Sequence, residues 1–127
     1  MVRIPARHPR KKSLESRQKI VDGSSMGLLA DPAMIAHGRG EAFDYLLGER
    51  TTESAREAVR ESAARLRNAR RPVISVNGNT TVLAGDGAIR LAAVLDCPIE
   101  VNLYYRTPSR VKGLISLLEE WRFNVSQ

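Results

Sequence analysis

Between Pro72 and Trp121 the apolar pattern changes period three times, and that succession limits the fold more than any other feature. Pro72-Val-Ile-Ser-Val-Asn77 is a short β-branched run, the signature of a strand. Ala88, Leu91, Ala92 and Leu95 then recur at i, i+3, i+4 and i+7, which is helical spacing. Cys97-Pro98 leads into Ile99-Glu-Val-Asn-Leu-Tyr-Tyr105, a second strand. Thr107-Pro108 sets a capping hydroxyl before a proline at the first helical position. Val111, Leu114, Ile115, Leu118 and Trp121 give the helix that follows an apolar stripe. Strand, helix, strand, helix implies parallel pairing through a right-handed crossover.

In open parallel sheets, ligands bind at the carboxyl ends of the strands. Here those ends carry Asn77, Gly78 and Asn79 after the first strand, and Arg106 and Thr107 after the second. The asparagines are equally suited to satisfying backbone in the turn Asn77-Gly-Asn-Thr80. Phe123-Asn-Val-Ser-Gln127 reads as the approach to a third strand. Two parallel strands leave faces and edges uncovered. The chain is therefore expected to be truncated, or to complete itself with a partner.

The segment before Pro72 reads as helical. Met1 to Lys12 is a basic, proline-punctuated extended arm, and the first 19 residues hold seven Lys/Arg against one acid, Glu15. Ser13 is the expected cap of a helix running to about Leu28, with Leu14, Ile20 and Val21 on its apolar face and Arg17 within it. Asp31-Pro32 starts a second helix, which carries Met34 and Ile35 into His37-Gly-Arg-Gly40. Thr51 or Thr52 caps a third, to about Ala69. Ala55, Val59 and Leu66 fall at helical spacing there, Glu57–Arg60 and Glu61–Arg65 can pair along its outer face, and it reads as scaffold.

His37 to Thr51 (H-G-R-G-E-A-F-D-Y-L-L-G-E-R-T) is the most distinctive stretch of that region. Glycines around Arg39 let a ligand approach the backbone, and arginine offers a fork of donors to phosphate or carboxylate. One reading is an anion site at a helix start, where unpaired N–H groups favour negative charge. The other is a helix–turn–helix junction with a solvated arginine. Gly48 closes the run, as glycine commonly does just past a helix. The G-x-G does not follow a strand, so the dinucleotide fingerprint is not met, and Gly85-Asp-Gly87 lacks its third glycine.

Composition narrows the function. At 127 residues one domain is expected, spanning the whole chain: 1–12 the arm, 13–71 helical, 72–127 the βαβα unit. This is an α/β chain, with a helical N-terminal part before a Rossmann-like parallel unit. A net charge of +6 points to anionic partners without choosing among nucleic acid, nucleotides and phosphorylated metabolites. Only 5% of the residues are aromatic, which argues against a base-stacking platform. The single cysteine, Cys97, excludes an internal disulfide and a multi-cysteine zinc site. No apolar run approaches the ~20 residues of a membrane span, so a cytoplasmic protein is expected.

Arg17, the His37–Thr51 run, Ser75-Val-Asn-Gly-Asn79, and Asn102-Leu-Tyr-Tyr-Arg-Thr107 with Arg110-Val111 together resemble the archaeal phosphopantothenate synthetases, also called 4-phosphopantoate–β-alanine ligases. The resemblance is collinear from the arm to about Trp121 and covers the N-terminal half of family members, which are about twice as long. It implies a homodimeric ligase of coenzyme A biosynthesis. In such a ligase the carboxylate of 4-phosphopantoate attacks the α-phosphate of ATP, pyrophosphate leaves, and the β-alanine amine displaces AMP to give 4-phosphopantothenate. ATP would enter with Mg²⁺, and no residue here is assigned to a metal.

By resemblance, Arg17 and Arg39 contact ATP. By position, Asn77 and Asn79 orient the pantoate hydroxyl and carboxylate beside Gly78, Arg106 takes a phosphate, and His37 donates to substrate or is structural at a helix end. Competing readings are a basic nucleic-acid-binding module, which leaves the asparagine turn and Arg39 unexplained, another nucleotide binder, and an inactive piece that keeps nucleotide binding.

Overall fold

A computed structural model describes residues 4–125. In chain order the elements are α1 (Lys11–Ser25), α2 (Ala33–Leu46), α3 (Glu53–Asn68), β1 (Ile74–Val76), α4 (Gly78–Leu95), β2 (Ile99–Val101) and α5 (Pro108–Val125). The two strands pair in parallel, Ile74 opposite Ile99 and Val76 opposite Val101. The expected βαβα order and parallel pairing are therefore present in a mostly helical α/β chain.

Alternation sorts the strand residues. Val76 is buried and Ile74, Ile99 and Val101 are half-buried, whereas Ser75 and Glu100 are exposed. Helices α4 and α5 pack against each other and on the strands. A cap starts each helix of this unit. Asn77 Oδ1 accepts from Thr80 N at 2.9 Å, and Thr107 Oγ1 accepts from Arg110 N at 3.2 Å. The buried hydroxyl of Thr81 is satisfied as well, donating to Asn77 O at 2.8 Å.

The core joins the two halves of the chain. Ile20 and Leu114 are fully buried and cluster with Leu28 and Leu29 from the α1–α2 connection. Two glycines make room for those leucines. A Cβ on Gly78 would stand 2.8 Å from Leu29 Cδ2, and one on Gly113 would stand 2.6 Å from Leu28 Cδ2. Helix α4 bends at Ala84 (φ −143°). Beside the bend, a Cβ on Gly85 would fall 1.9 Å from the Trp121 ring, so the indole lies flush on bare backbone.

Several expectations need correction. Residues 5–11 form successive turns, His8 N to Pro5 O and Lys11 N to His8 O, each 3.0 Å, instead of an extended arm. Met1 to Arg3 lie outside the described residues. Helix α1 starts at Lys11, not after Ser13, whose hydroxyl donates to Arg10 O inside the first turn. The helix ends at Ser25 because Gly27 turns left-handed (φ 71°). Asp31 makes no cap bond at α2. Both strands are shorter than their β-branched runs, and Tyr104-Tyr105 turns away from β2. The turn Asn77–Thr80 is the cap and first turn of α4. Phe123 to Val125 continue α5 instead of approaching a strand, and residues 126–127 lie outside the described set.

Helix α3 starts as expected, with Thr52 Oγ1 accepting from Ala55 N at 3.3 Å, and Glu61 pairs with Arg65 at 2.7 Å. Arg60 pairs with Glu53 (3.8 Å), however, and not with Glu57. No residue of α3 is buried, so it is not scaffold for this core.

The Gly85–Trp121 contact yields a paired prediction. Gly85→Ala forces the indole to move and is expected to destabilise by about 1–3 kcal/mol. Gly87→Ala meets nothing within 4 Å and removes a helical glycine, so it is expected to stabilise by about 0.5–1 kcal/mol. Urea denaturation of both variants checks the contrast. Equal effects would mean that Trp121 does not rest on Gly85.

Candidate functional site

The carboxyl ends of both strands open into one cleft of about 210 Å³. Asn77, Gly78 and Asn79 line it from the start of α4, and Leu103, Tyr104 and Tyr105 from the segment after β2. Arg110 enters from the first turn of α5, and Ala33 and Ala36 from the first turns of α2. Leu28 and Leu29 line its base. Three helix N-termini thus converge on one cavity. Helix starts carry partial positive charge, and with Ala33 N bonded to Ala30 O and Arg110 N to Thr107 Oγ1, the lining residues whose helix-start N–H groups stay free are Gly78 and Asn79. The lining contains one cation, Arg110, and no carboxylate.

The asparagines also hold this arrangement together. Asn77 Oδ1 caps α4. Asn79 Nδ2 donates to Ala33 O at 3.0 Å, tying the start of α4 to the start of α2 across 46 residues of sequence. What remains for a ligand is the Asn77 amide nitrogen, the Asn79 carbonyl oxygen, and the N–H groups of Gly78 and Asn79. Gly78 has a packing reason in Leu29 as well as a place in the lining. Tyr104 and Tyr105 meet edge to face, with ring centroids 5.0 Å apart.

The other sequence-selected residues do not line this cleft. Arg106 is exposed, directs Nη1 to Val101 O at 3.4 Å, and borders a separate depression with Pro108 and Lys112. His37, Gly38, Arg39 and Gly40 all lie inside α2, so they form neither a helix start nor a junction. Each glycine costs only about 1 kcal/mol in a helix interior. The flanking Ala33-Met-Ile-Ala36 and Glu41–Leu46 runs and the packing of α1 on α2 carry the helix across both. The start of the helix lies elsewhere, at Ala33.

Arg17 on α1 and Arg39 on α2 are both exposed, and neither makes an ion pair among the described residues. His37 is mostly covered. Its Nε2 has no hydrogen-bond partner among the described residues and stands 4.0 Å from Glu41 Oε2. Glu41 is itself held by Arg10. His37 thus sits mid-helix, not at an end. No group of three or more His, Cys, Asp or Glu gathers to hold a metal among the described residues. No helix among them is long and apolar enough to cross a membrane.

Sequence reasoning gave Arg110 no role of its own. The signal was present: a Thr107-Pro108 start puts Arg110 in the first turn of a helix whose N-terminus faces the strand ends.

Comparison with known proteins bears on the same residues. The family model for phosphopantothenate/pantothenate synthetase matches residues 54–126, more than half of the chain and including both strand ends. The chain belongs to the phosphopantothenate/pantothenate synthetase family. Among its relatives, the 4-phosphopantoate–β-alanine ligase of Thermococcus onnurineus is 50% identical over 121 residues, covering 95% of this chain and 46% of the relative. The ligase of the same name from Methanospirillum hungatei is 50% identical over 117 residues, covering 92% of this chain and 48% of the relative. That from Methanosarcina mazei is 50% identical over 119 residues, covering 94% and 47%. The chain spans just under half the length of each of these family members.

If Asn77 builds the cleft by capping α4, Asn77→Ala should cost about 1 kcal/mol and Asn77→Ser much less. Asn79→Ala should cost about 1 kcal/mol through the lost bond to Ala33. Denaturation midpoints check these values, with Arg39→Ala as an exposed substitution that leaves the midpoint unchanged. An unshifted Asn79→Ala midpoint would show that the α2–α4 tie contributes nothing.

Proposed function

We propose that this chain takes part in the ATP-dependent condensation of 4-phosphopantoate with β-alanine to 4-phosphopantothenate, AMP and pyrophosphate, a step of coenzyme A biosynthesis. The observation that carries the reading is collinear identity of about half to ligases of that name across nearly the whole chain. The reaction proceeds through an acyl-adenylate. The substrate carboxylate attacks the α-phosphate of ATP, pyrophosphate leaves, and the amine then displaces AMP. Such chemistry needs donors around phosphates and a place for an acid, and no protein nucleophile.

The residues suit those needs. Arg17 and Arg39, exposed and without carboxylate partners, serve the phosphates of ATP. Mg²⁺ enters on the triphosphate, because this cation binds through phosphate oxygens, water and one or two carboxylates instead of a protein cage. Asn77, Gly78 and Asn79 orient the acid through the donors and acceptor left over from their structural bonds. Arg106 and His37, which do not line the cleft, serve as further donors to substrate. The βαβα unit serves as part of a Rossmann-like sheet. The protein works in the cytoplasm as a homodimer.

The test is a mass-spectrometric assay of the chain with ATP, Mg²⁺, 4-phosphopantoate and β-alanine, with single omissions. Phosphopantothenate and AMP are expected only when all components are present. ATP binding without turnover would support an inactive nucleotide binder, and steep salt-dependent binding of polyanions without ATP binding would support a nucleic-acid module. In calorimetry, Arg39→Ala is expected to weaken ATP binding about tenfold or more, in line with loss of a charge-assisted contact. Unchanged affinity would remove Arg39 from the site.

A further inference from the structure

The cleft at the strand ends is separate from Arg17 and Arg39, which lie exposed on α1 and α2 and do not line it. Its volume, about 210 Å³, falls below the ~300–1,000 Å³ typical of pockets that enclose larger ligands. A volume of this size encloses a compact acid more fully than a nucleoside triphosphate. Its walls are mostly aliphatic, from Leu28, Leu29 and Leu103, and these suit a branched carbon body.

Donors dominate its polar features, with the Asn79 side-chain oxygen as an acceptor. The N–H groups of Gly78 and Asn79 have no partner within the helix they begin. Arg110 is half-buried, and its Nη1 is held by the Tyr105 carbonyl at 3.0 Å. That bond fixes the guanidinium plane and leaves its other N–H groups for an anion. No carboxylate lines the cleft to compete for them.

We propose that this cleft seats the phosphorylated acid and that Arg110 is the residue that anchors its anionic end, while the nucleotide lies outside. The assignment rests on the ligase reading and adds to it both the occupant of the cleft and a binding residue. Arg110 is suited to this place because a planar fork at a helix N-terminus meets phosphate or carboxylate with two parallel bonds. The leucine walls then discriminate against anions that lack a branched aliphatic body, inorganic phosphate among them.

Calorimetry on the whole chain tests this with 4-phosphopantoate, ATP and inorganic phosphate as separate titrants. The wild-type chain is expected to bind 4-phosphopantoate more tightly than inorganic phosphate. Arg110→Ala should weaken 4-phosphopantoate about tenfold or more, as expected for loss of a charge-assisted contact, and leave ATP affinity unchanged. Arg110→Lys should recover part of the loss. Arg90→Ala, an exposed substitution of equal charge change on α4, should recover nothing because it should lose nothing. Should Arg110→Ala fail to fold, the wild-type chain still decides. The amide signals of Gly78 and Asn79 should shift with 4-phosphopantoate and stay still with ATP. Undiminished 4-phosphopantoate binding in a folded Arg110→Ala, or ATP shifting those amides, would overturn the assignment and leave the ligase reading standing. Binding of neither ligand by the wild-type chain would overturn both.

Discussion

Leu28 and Leu29 are buried where Gly113 and Gly78 present bare backbone, and the rest of the structure depends on that fit. Ile20 and the packing of α1 on α4 add to the hold of the α1–α2 pair on the βαβα unit. The two leucines take up the space that side chains on α4 and α5 would otherwise occupy, and the Asn79–Ala33 bond sets the depth. A methyl group at either glycine would collide with a leucine side chain, so the contact tolerates little change in volume. Because Leu28 and Leu29 also form the base of the cleft, core packing and site geometry are one problem here.

The convergence of helix N-termini follows from this docking. A parallel βαβα unit by itself aims the starts of α4 and α5 at the strand ends. Docking the leucines brings the start of α2 to the same place. The result is a small, carboxylate-free cavity with fixed donors, whose polarity comes more from backbone than from side chains. Arg17 and Arg39 lie exposed on α1 and α2 and do not line it. The proposed reaction, which joins a nucleotide-activated acid to an amine, calls for both kinds of place.

What was legible in the sequence was largely punctuation. Thr52 and Thr107 cap helices as their side chains dictate, Gly48 leaves α2 with φ 81°, and the β-branched runs mark two parallel strands, whereas Asn77 reads as part of a turn and caps α4. The strand-end rule selects Asn77–Asn79, and these residues line the cleft. Other features were not legible because long-range packing decides them. Gly38 and Gly40 look like breakers, yet neighbouring helix formers and contact with α1 carry α2 through. Leu28 and Leu29 carry no local signal that marks them as the joint. Helix α3 has the spacing of a packed amphipathic helix, but Val59 is 64% exposed and nothing in the described chain covers it. Arg110 was hidden because its meaning depends on the direction in which α5 begins.

Hydrogen–deuterium exchange of the chain with and without 4-phosphopantoate tests the central claim most directly. If the ligand sits where three helix N-termini converge, protection rises together in residues 28–36, 77–81 and 103–111, three segments distant in sequence. Protection confined to α1 and the middle of α2, around Arg17 and Arg39, with those three segments unchanged, would contradict the account.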